Sequence, residues 1–227
     1  MQKEYIFGQI KLEHHMIYIE SRKRKLENII KKYPNAIILD ITSKASEALV
    51  RLSPFYPYGD IPVPFSVGVF ASCVEAVWQG LKAFEHEGID VSVFSNSTME
   101  GVKRTIRKHG NILGHQKGVN SNEILDYKTA KHQIYIPTYR WMIEHKCLDL
   151  IAQLRDLAQS NDVVLLDYNT CKDVDCTDRP LSHAFLVKAY VEKIYPYDDA
   201  ICNIKETAQI DLRQYNLNKD TQLNLLF

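Results

Sequence analysis

In the segment VEAVWQGLKAF (74–84), Glu75, Gln79 and Lys82 fall at i, i+4 and i+7, with Trp78 between them. On a helix that spacing lays one carboxylate, one amide and one ammonium along a single ridge beside an indole, next to an apolar stripe of Val74, Val77, Trp78 and Leu81. Such a set can accept a proton, orient a hydroxyl and offset negative charge. A second assignment competes for the same carboxylate. Ser72-x-x-Glu75 fits a capping box, in which Glu75 bonds back to the Ser72 amide and Lys82 is ordinary surface. The two are distinguishable: a cap turns its oxygens to Ser72, whereas a catalyst turns them into a cleft with Gln79 and Phe55.

The elements that must position this ridge are legible around it. The loop before it, LSPFYPYGDIPVP (52–64), carries Phe55, Tyr56 and four prolines, which exclude regular helix or central strand. SVGVF (66–70) reads as a short strand feeding a helix over 73–86 that Gly88 closes. Upstream, MIYIE (16–20) and AIILDIT (36–42) read as strands flanking a helix capped by Ser21, with RKRK (22–25) in its first turn. Residues 43–52 read as a short helix ended by Pro54. Downstream come a strand at 90–94, a helix over 98–109 with Ser97 and Glu100 as a capping pair, and a glycine-rich polar loop over 111–122. Helical signals dominate 123–160, with Pro137 at the first turn of a new helix. A buried strand at 162–168 and a last helix capped by Ser182 complete the order.

With 227 residues the chain can bury a sizeable core. We expect one α+β domain, mainly helical with several short strands, over 1–196. Within it, 1–44 is a strand-helix-strand addition and 45–195 the core; 197–227 is an extension. Lys+Arg and Asp+Glu each total 28, so bulk charge gives no reason to expect nucleic-acid or membrane binding, although a local patch around Lys103, Arg104, Arg107 and Lys108 would suffice. No apolar run approaches the roughly 18 residues of a membrane span, and the N-terminal stretch does not read as a signal peptide. Cytoplasmic residence and no membrane partner are the expectations. Five scattered cysteines argue against a disulfide framework, and Cys171-x4-Cys176 is poor zinc spacing, so neither metal nor cofactor is expected.

Other positions have two readings each. Arg104 and Arg107 suit either a phosphate or a solvated face. Asp167, at a strand end, is a second carboxylate or a loop cap. His183, in the first turn of the last helix, is a ligand contact or structural. Trp141 reads as core.

LSPFYP (52–57) and VEAVWQGLKAF (74–84) together resemble the NADAR family, named for NAD and ADP-ribose, in which an LSNFYP-like loop precedes a helix of the form VEHxYQxxKF. The likeness runs more loosely through VKRTIRKHG (102–110), PTYRWMIEHK (137–146) and VVLLDY, covering about 45–195. Pro54 stands where the family has Asn, Ala76 where it has His, and Trp78 where it has Tyr or Phe. The family's late D-x-x-W-G is not found, and Leu181-Ser182-His183 stands near its Asn-x-Leu-Gly.

The resemblance implies an N-glycosidase acting on an ADP-ribose-like conjugate, such as an ADP-ribosylated guanine, free or carried on nucleic acid. Some members are connected with riboflavin-pathway intermediates. Carried over to this chain, Glu75 is the catalytic carboxylate, made a better base by desolvation against Trp78. Gln79 meets a ribose hydroxyl, Lys82 offsets the pyrophosphate, and Phe55 and Tyr56 stack the base, worth about 1–3 kcal/mol per base. Trp78, Arg104, Arg107, Asp167 and His183 complete the substrate-binding set. Three other classes stay open: a module that binds ADP-ribose or NAD without turnover, an interaction protein using 52–64 as its contact loop, and an α/β enzyme of nucleotide metabolism built on the strand and helix units at both ends. Oligomeric state is not legible.

Overall fold

A computed structural model describes residues 15–46 and 48–196. The 197–227 extension and Cys202 therefore lie outside the described residues. Chain order begins with β1 (Ile17–Ser21), α1 (Leu26–Lys32), β2 (Ile37–Asp40) and a 3-10 turn at Leu49–Leu52. It continues with β3 (Ile61–Pro62), β4 (Phe70–Ala71), α2 (Val74–Gly80), β5 (Lys82–Phe84), a second 3-10 turn at Val91–Ser95 and α3 (Ile106–His109). Then come β6 (Ile112–Gln116), β7 (Ile124–Leu125), α4 (Tyr127–Ala130), a π-helical turn at Lys131–Tyr135, α5 (Ile136–Lys146), α6 (Leu148–Ser160), β8 (Val163–Asp167) and α7 (His183–Val191). The result is a single α+β domain with three small sheets.

β8 is buried at every position and lies between β1 and β2, parallel to both. A strand apolar at its first four residues, VVLL, and closed by the buried Asp167, suits the middle of a parallel sheet covered on both faces. The two N-terminal strands thus flank a strand from the far end of the chain. The second sheet pairs β3 with β4, and the third runs β5-β6-β7, antiparallel throughout. The main core joins α2, α5, α6 and α7 to these sheets, with Tyr139, Leu81 and Ile136 fully buried. Among the described residues, no helix is long and apolar enough to cross a membrane.

Several elements depart from the periodicity. The helix expected over 73–86 stops at Gly80, whose carbonyl accepts from the Asp90 amide at 2.9 Å, and the chain then extends as β5 against β6. Every residue of α2 is buried, so the amphipathic reading understated its burial. The strand expected at 90–94 is a 3-10 turn, because Asp90 Oδ1 accepts from both the Ser92 amide and its hydroxyl and coils the chain. The helix expected from 98 begins only at Ile106. Asn96 gathers the Thr98 amide and hydroxyl into a turn, and Met99 and Gly101 have left-handed φ values of 62° and 66°.

Ser21 ends β1 rather than capping α1, which starts after Lys25 with no side-chain cap, and Arg22 pairs instead with Asp40 at 2.5 Å. The polar loop at 111–122 contains β6. Gly114 makes this possible: a Cβ there would meet the Leu125 carbonyl oxygen at 2.3 Å, so only glycine permits the approach of β6 to β7.

Candidate functional site

Several chain segments converge on a cleft of about 430 Å³. They are the loop after the first 3-10 turn, helix α2 with β5, and the α4–α5 helix; residues 103–105 before α3, and the ends of β2 and β8 with the start of α7, complete the wall. Glu75 sits where they meet and is 7 % exposed. Its amide donates to the Pro54 carbonyl at 2.8 Å, which ties the aromatic loop to the first turn of α2.

The cap of α2 is Cys73, whose Sγ accepts from the Ala76 amide at 3.3 Å. The Ser72 amide donates to the Phe94 carbonyl and the Ser72 hydroxyl to that of Asn96. Glu75 is accordingly not a capping-box partner. Its Oε1 accepts from Gln79 Nε2 at 2.8 Å, and among the described residues no donor reaches Oε2.

Gln79 is oriented by a donor that cannot be mistaken. The Arg104 backbone amide donates to Oε1 at 3.1 Å, as does Lys82 Nζ at 3.1 Å, so the amide nitrogen must face Glu75. With Oε1 doubly occupied, Gln79 positions the carboxylate. Lys82 reaches Gln79 from a strand, not from the third turn of a helix as the i+7 spacing implies. Burial pulls its ammonium below the ordinary value, against the attraction of Glu75. Burial pushes the Glu75 carboxyl up, while Gln79 and the charges of Lys103, Lys82 and His183 pull it down.

Trp78 forms an aromatic wall. It stacks on His115 at 3.6 Å between centroids and takes Tyr127 and Tyr135 edge-on at 5.8 and 5.6 Å. His115 is buried with neither ring nitrogen hydrogen-bonded, and burial, then Lys82, depresses its pKa to about 3, so it is a neutral platform. Phe55 stands across the cleft with Lys103 Nζ 5.3 Å from its ring centre.

Of the residues expected from the sequence, Phe55, Glu75, Trp78, Gln79, Lys82, Arg104, Asp167 and His183 all line the cleft. Tyr56 and Arg107 do not. Tyr56 packs against Tyr58 at 4.7 Å, because the proline-bounded turn sends consecutive aromatic side chains to different sides, and Arg107 is exposed on α3. Arg104 is in the wall, but its guanidinium donates to the carbonyls of Lys82 at 2.6 Å and Gly88 at 3.1 Å and packs over Phe84. It fastens the β5 turn, and the exposed cation of that segment is its neighbour Lys103. Asp167 is likewise occupied, accepting from Ser182 Oγ at 2.7 Å with His183 Nδ1 at 3.0 Å.

Tyr127, Lys131 and Tyr135 were missed. Their i, i+4, i+8 spacing was available as a signal within the helical 123–160 stretch, and a Lys between two Tyr on one helix face is an unusual inner stripe. Lys131 is 2 % exposed, lies over the Tyr127 ring and donates to the Cys176 carbonyl. It opens the π-helical turn, a distortion that recurs at functional sites. Thr42, Ser43, Tyr168 and Asn169 enter from strand ends, and nothing local in the sequence singled them out.

Fold and site together define a single α+β domain with a cationic, aromatic cleft that holds two buried carboxylates, Glu75 and the His183-paired Asp167. The chain belongs to a family of unknown function, DUF6939, which it matches over residues 21–187, a span holding every cleft residue named above. No curated protein and no solved structure matches it, and the family match does not link it to NADAR proteins.

Proposed function

We propose that the cleft hydrolyses an N-glycosidic bond in an ADP-ribose-like conjugate. The observation that carries this reading is the Glu75 carboxylate, buried in the cleft wall and held by Gln79 through one oxygen, with no donor among the described residues on the other. Its neighbours suit such a substrate. Phe55 and Trp78 offer faces for a base, and Lys82 and Lys103 supply charge for phosphates. Ala76 is fully buried and outside the cleft walls, so residue 76 supplies no acid or base and the mechanism rests on Glu75.

In this mechanism the bond from the anomeric carbon to the base nitrogen lengthens, and positive charge develops on the ribose beside Glu75. Glu75 takes a proton from water as the oxygen attacks the anomeric carbon. The leaving nitrogen keeps the bonding electron pair and takes a proton from solvent, Glu75 returns its own proton to solvent, and the products are ADP-ribose and the unmodified guanine or guanosine. Gln79 keeps the attacking oxygen's base in place, and Trp78 on its neutral His115 platform limits water around it.

Replacing Glu75 with Gln keeps the shape and removes the base. Hydrolysis of ADP-ribosyl-guanosine by Glu75→Gln should fall about 10²- to 10⁴-fold. A wild-type rate in that variant would remove Glu75 from the mechanism.

A further inference from the structure

His183 lies at the start of α7, 8 % exposed, with its ring between two other segments. Nε2 is 2.9 Å from the Ile41 carbonyl oxygen, at the end of β2, and Nδ1 is 3.0 Å from Asp167 Oδ2, at the end of β8. A backbone carbonyl oxygen can only accept a hydrogen bond, and so can an ionised carboxylate. A neutral imidazole carries one N–H, so in that state one ring nitrogen would set its lone pair against an acceptor. Only the doubly protonated ring makes both contacts attractive.

From this geometry we infer that His183 is an imidazolium brace that holds the ends of β2 and β8 together and so positions the cleft wall at Thr42–Ser43 and Tyr168–Asn169. Both protons are committed to protein acceptors, which leaves none to exchange with a substrate, so His183 is a positioning residue. Asp167 is matched to the task. Burial alone would raise its carboxyl, but His183, Ser182 and the Asn169 amide outweigh this and hold it at about 2, ionised throughout the neutral range.

Other groups pull both ways. The Glu75 carboxylate on α2 adds to the attraction, and the Tyr139 ring on α5 packs 6.3 Å away without charge. Against the charge stand burial, the N-terminal dipole of α7 and the lysines of the same cleft, Lys82, Lys103 and Lys131. The balance leaves the imidazolium favoured beyond its ordinary range. The brace also gives Glu75 a fixed positive neighbour, and under the glycosidase reading, on which this one consequence rests, it helps hold an anionic substrate.

The test is a pH titration of the ¹⁵N-labelled protein. At pH 7.5 both His183 ring nitrogens should resonate as protonated. On raising the pH, the backbone amides of Thr42, Ser43, Tyr168 and Asn169 should shift with the same midpoint as the ring. ADP-ribose affinity measured by calorimetry should fall through that midpoint, and in His183→Gln it should be about tenfold weaker and lose that pH dependence. One unprotonated ring nitrogen at pH 7.5, or rim amides indifferent to the ring's titration, overturns the brace. If the wild type binds no ADP-ribose while the ring and rim titrate as described, the brace stands and the substrate reading falls.

Discussion

At the scale of single residues, the cleft is governed by which lone pairs and protons are already committed. Gln79 has its oxygen filled by Lys82 and the Arg104 amide, so its nitrogen serves Glu75. Asp167 and His183 saturate each other with Ser182 and Ile41. Among the acidic side chains of the wall, Glu75 alone has an oxygen that no donor of the described residues reaches, and that singles it out. The Asp167–His183 pair also sets a pH window for stability. Asp167 is held at about 2 against an ordinary 3.8, so its contribution, roughly 2 kcal/mol, is complete above 3.8 and disappears as the pH falls towards 2. His183 is raised above 6.5, so its share is complete below 6.5 and disappears as the pH rises through the folded value. Urea unfolding across pH should therefore show wild-type stability falling on the alkaline side with a one-proton slope that His183→Gln lacks. An equal slope in both proteins would assign the alkaline loss to another group.

At the scale of elements, α2 is fixed as much by where it stops as by its stripe. Gly80 is its last residue, and a Cβ there would lie 2.2 Å from Cε1 of the Phe94 ring. Gly80→Ala gains at most about 1 kcal/mol of helix propensity. Overpacking against a buried ring costs about 1–3 kcal/mol, so the overlap wins. The variant should melt several degrees lower, at about 2–4 °C per kcal/mol for a domain of this size, and its nucleotide affinity should drop because the Lys82–Gln79 contact depends on the turn after Gly80. An unchanged melting temperature would mean that Phe94 moves aside freely. The π-helical turn plays the matching part across the cleft, where it brings Lys131 and Tyr135 to the wall that Trp78 faces.

At the scale of the whole molecule, the sheet order explains what the sequence could and could not convey. β8 and β2 were readable because VVLL and AIIL are apolar runs of strand length, each closed by an Asp. That β8 lies between β1 and β2 was not readable, because pairing across more than 120 residues leaves no local trace. The same reason hid Thr42, Ser43 and Asn169, which join the cleft only through that pairing. Glu75, Gln79 and Lys82 were found from a helical spacing that the structure keeps for two of them. Lys82 arrives from a strand, since antiparallel pairing with β6 overrode the helix periodicity after Gly80. Side-chain competition for backbone amides, at Asp90 and Asn96, erased a strand and most of a helix that patterning alone supports.

The central claim is that Glu75 faces the anomeric carbon of a bound ADP-ribose-like nucleotide, and a crystal structure of Glu75→Gln soaked with ADP-ribose tests it most directly. The account predicts the anomeric carbon of the terminal ribose beside residue 75, close enough for one water between them, with phosphates towards Lys82 and Lys103. A ribose bound at the far end of the cleft, or outside it, would contradict the mechanism.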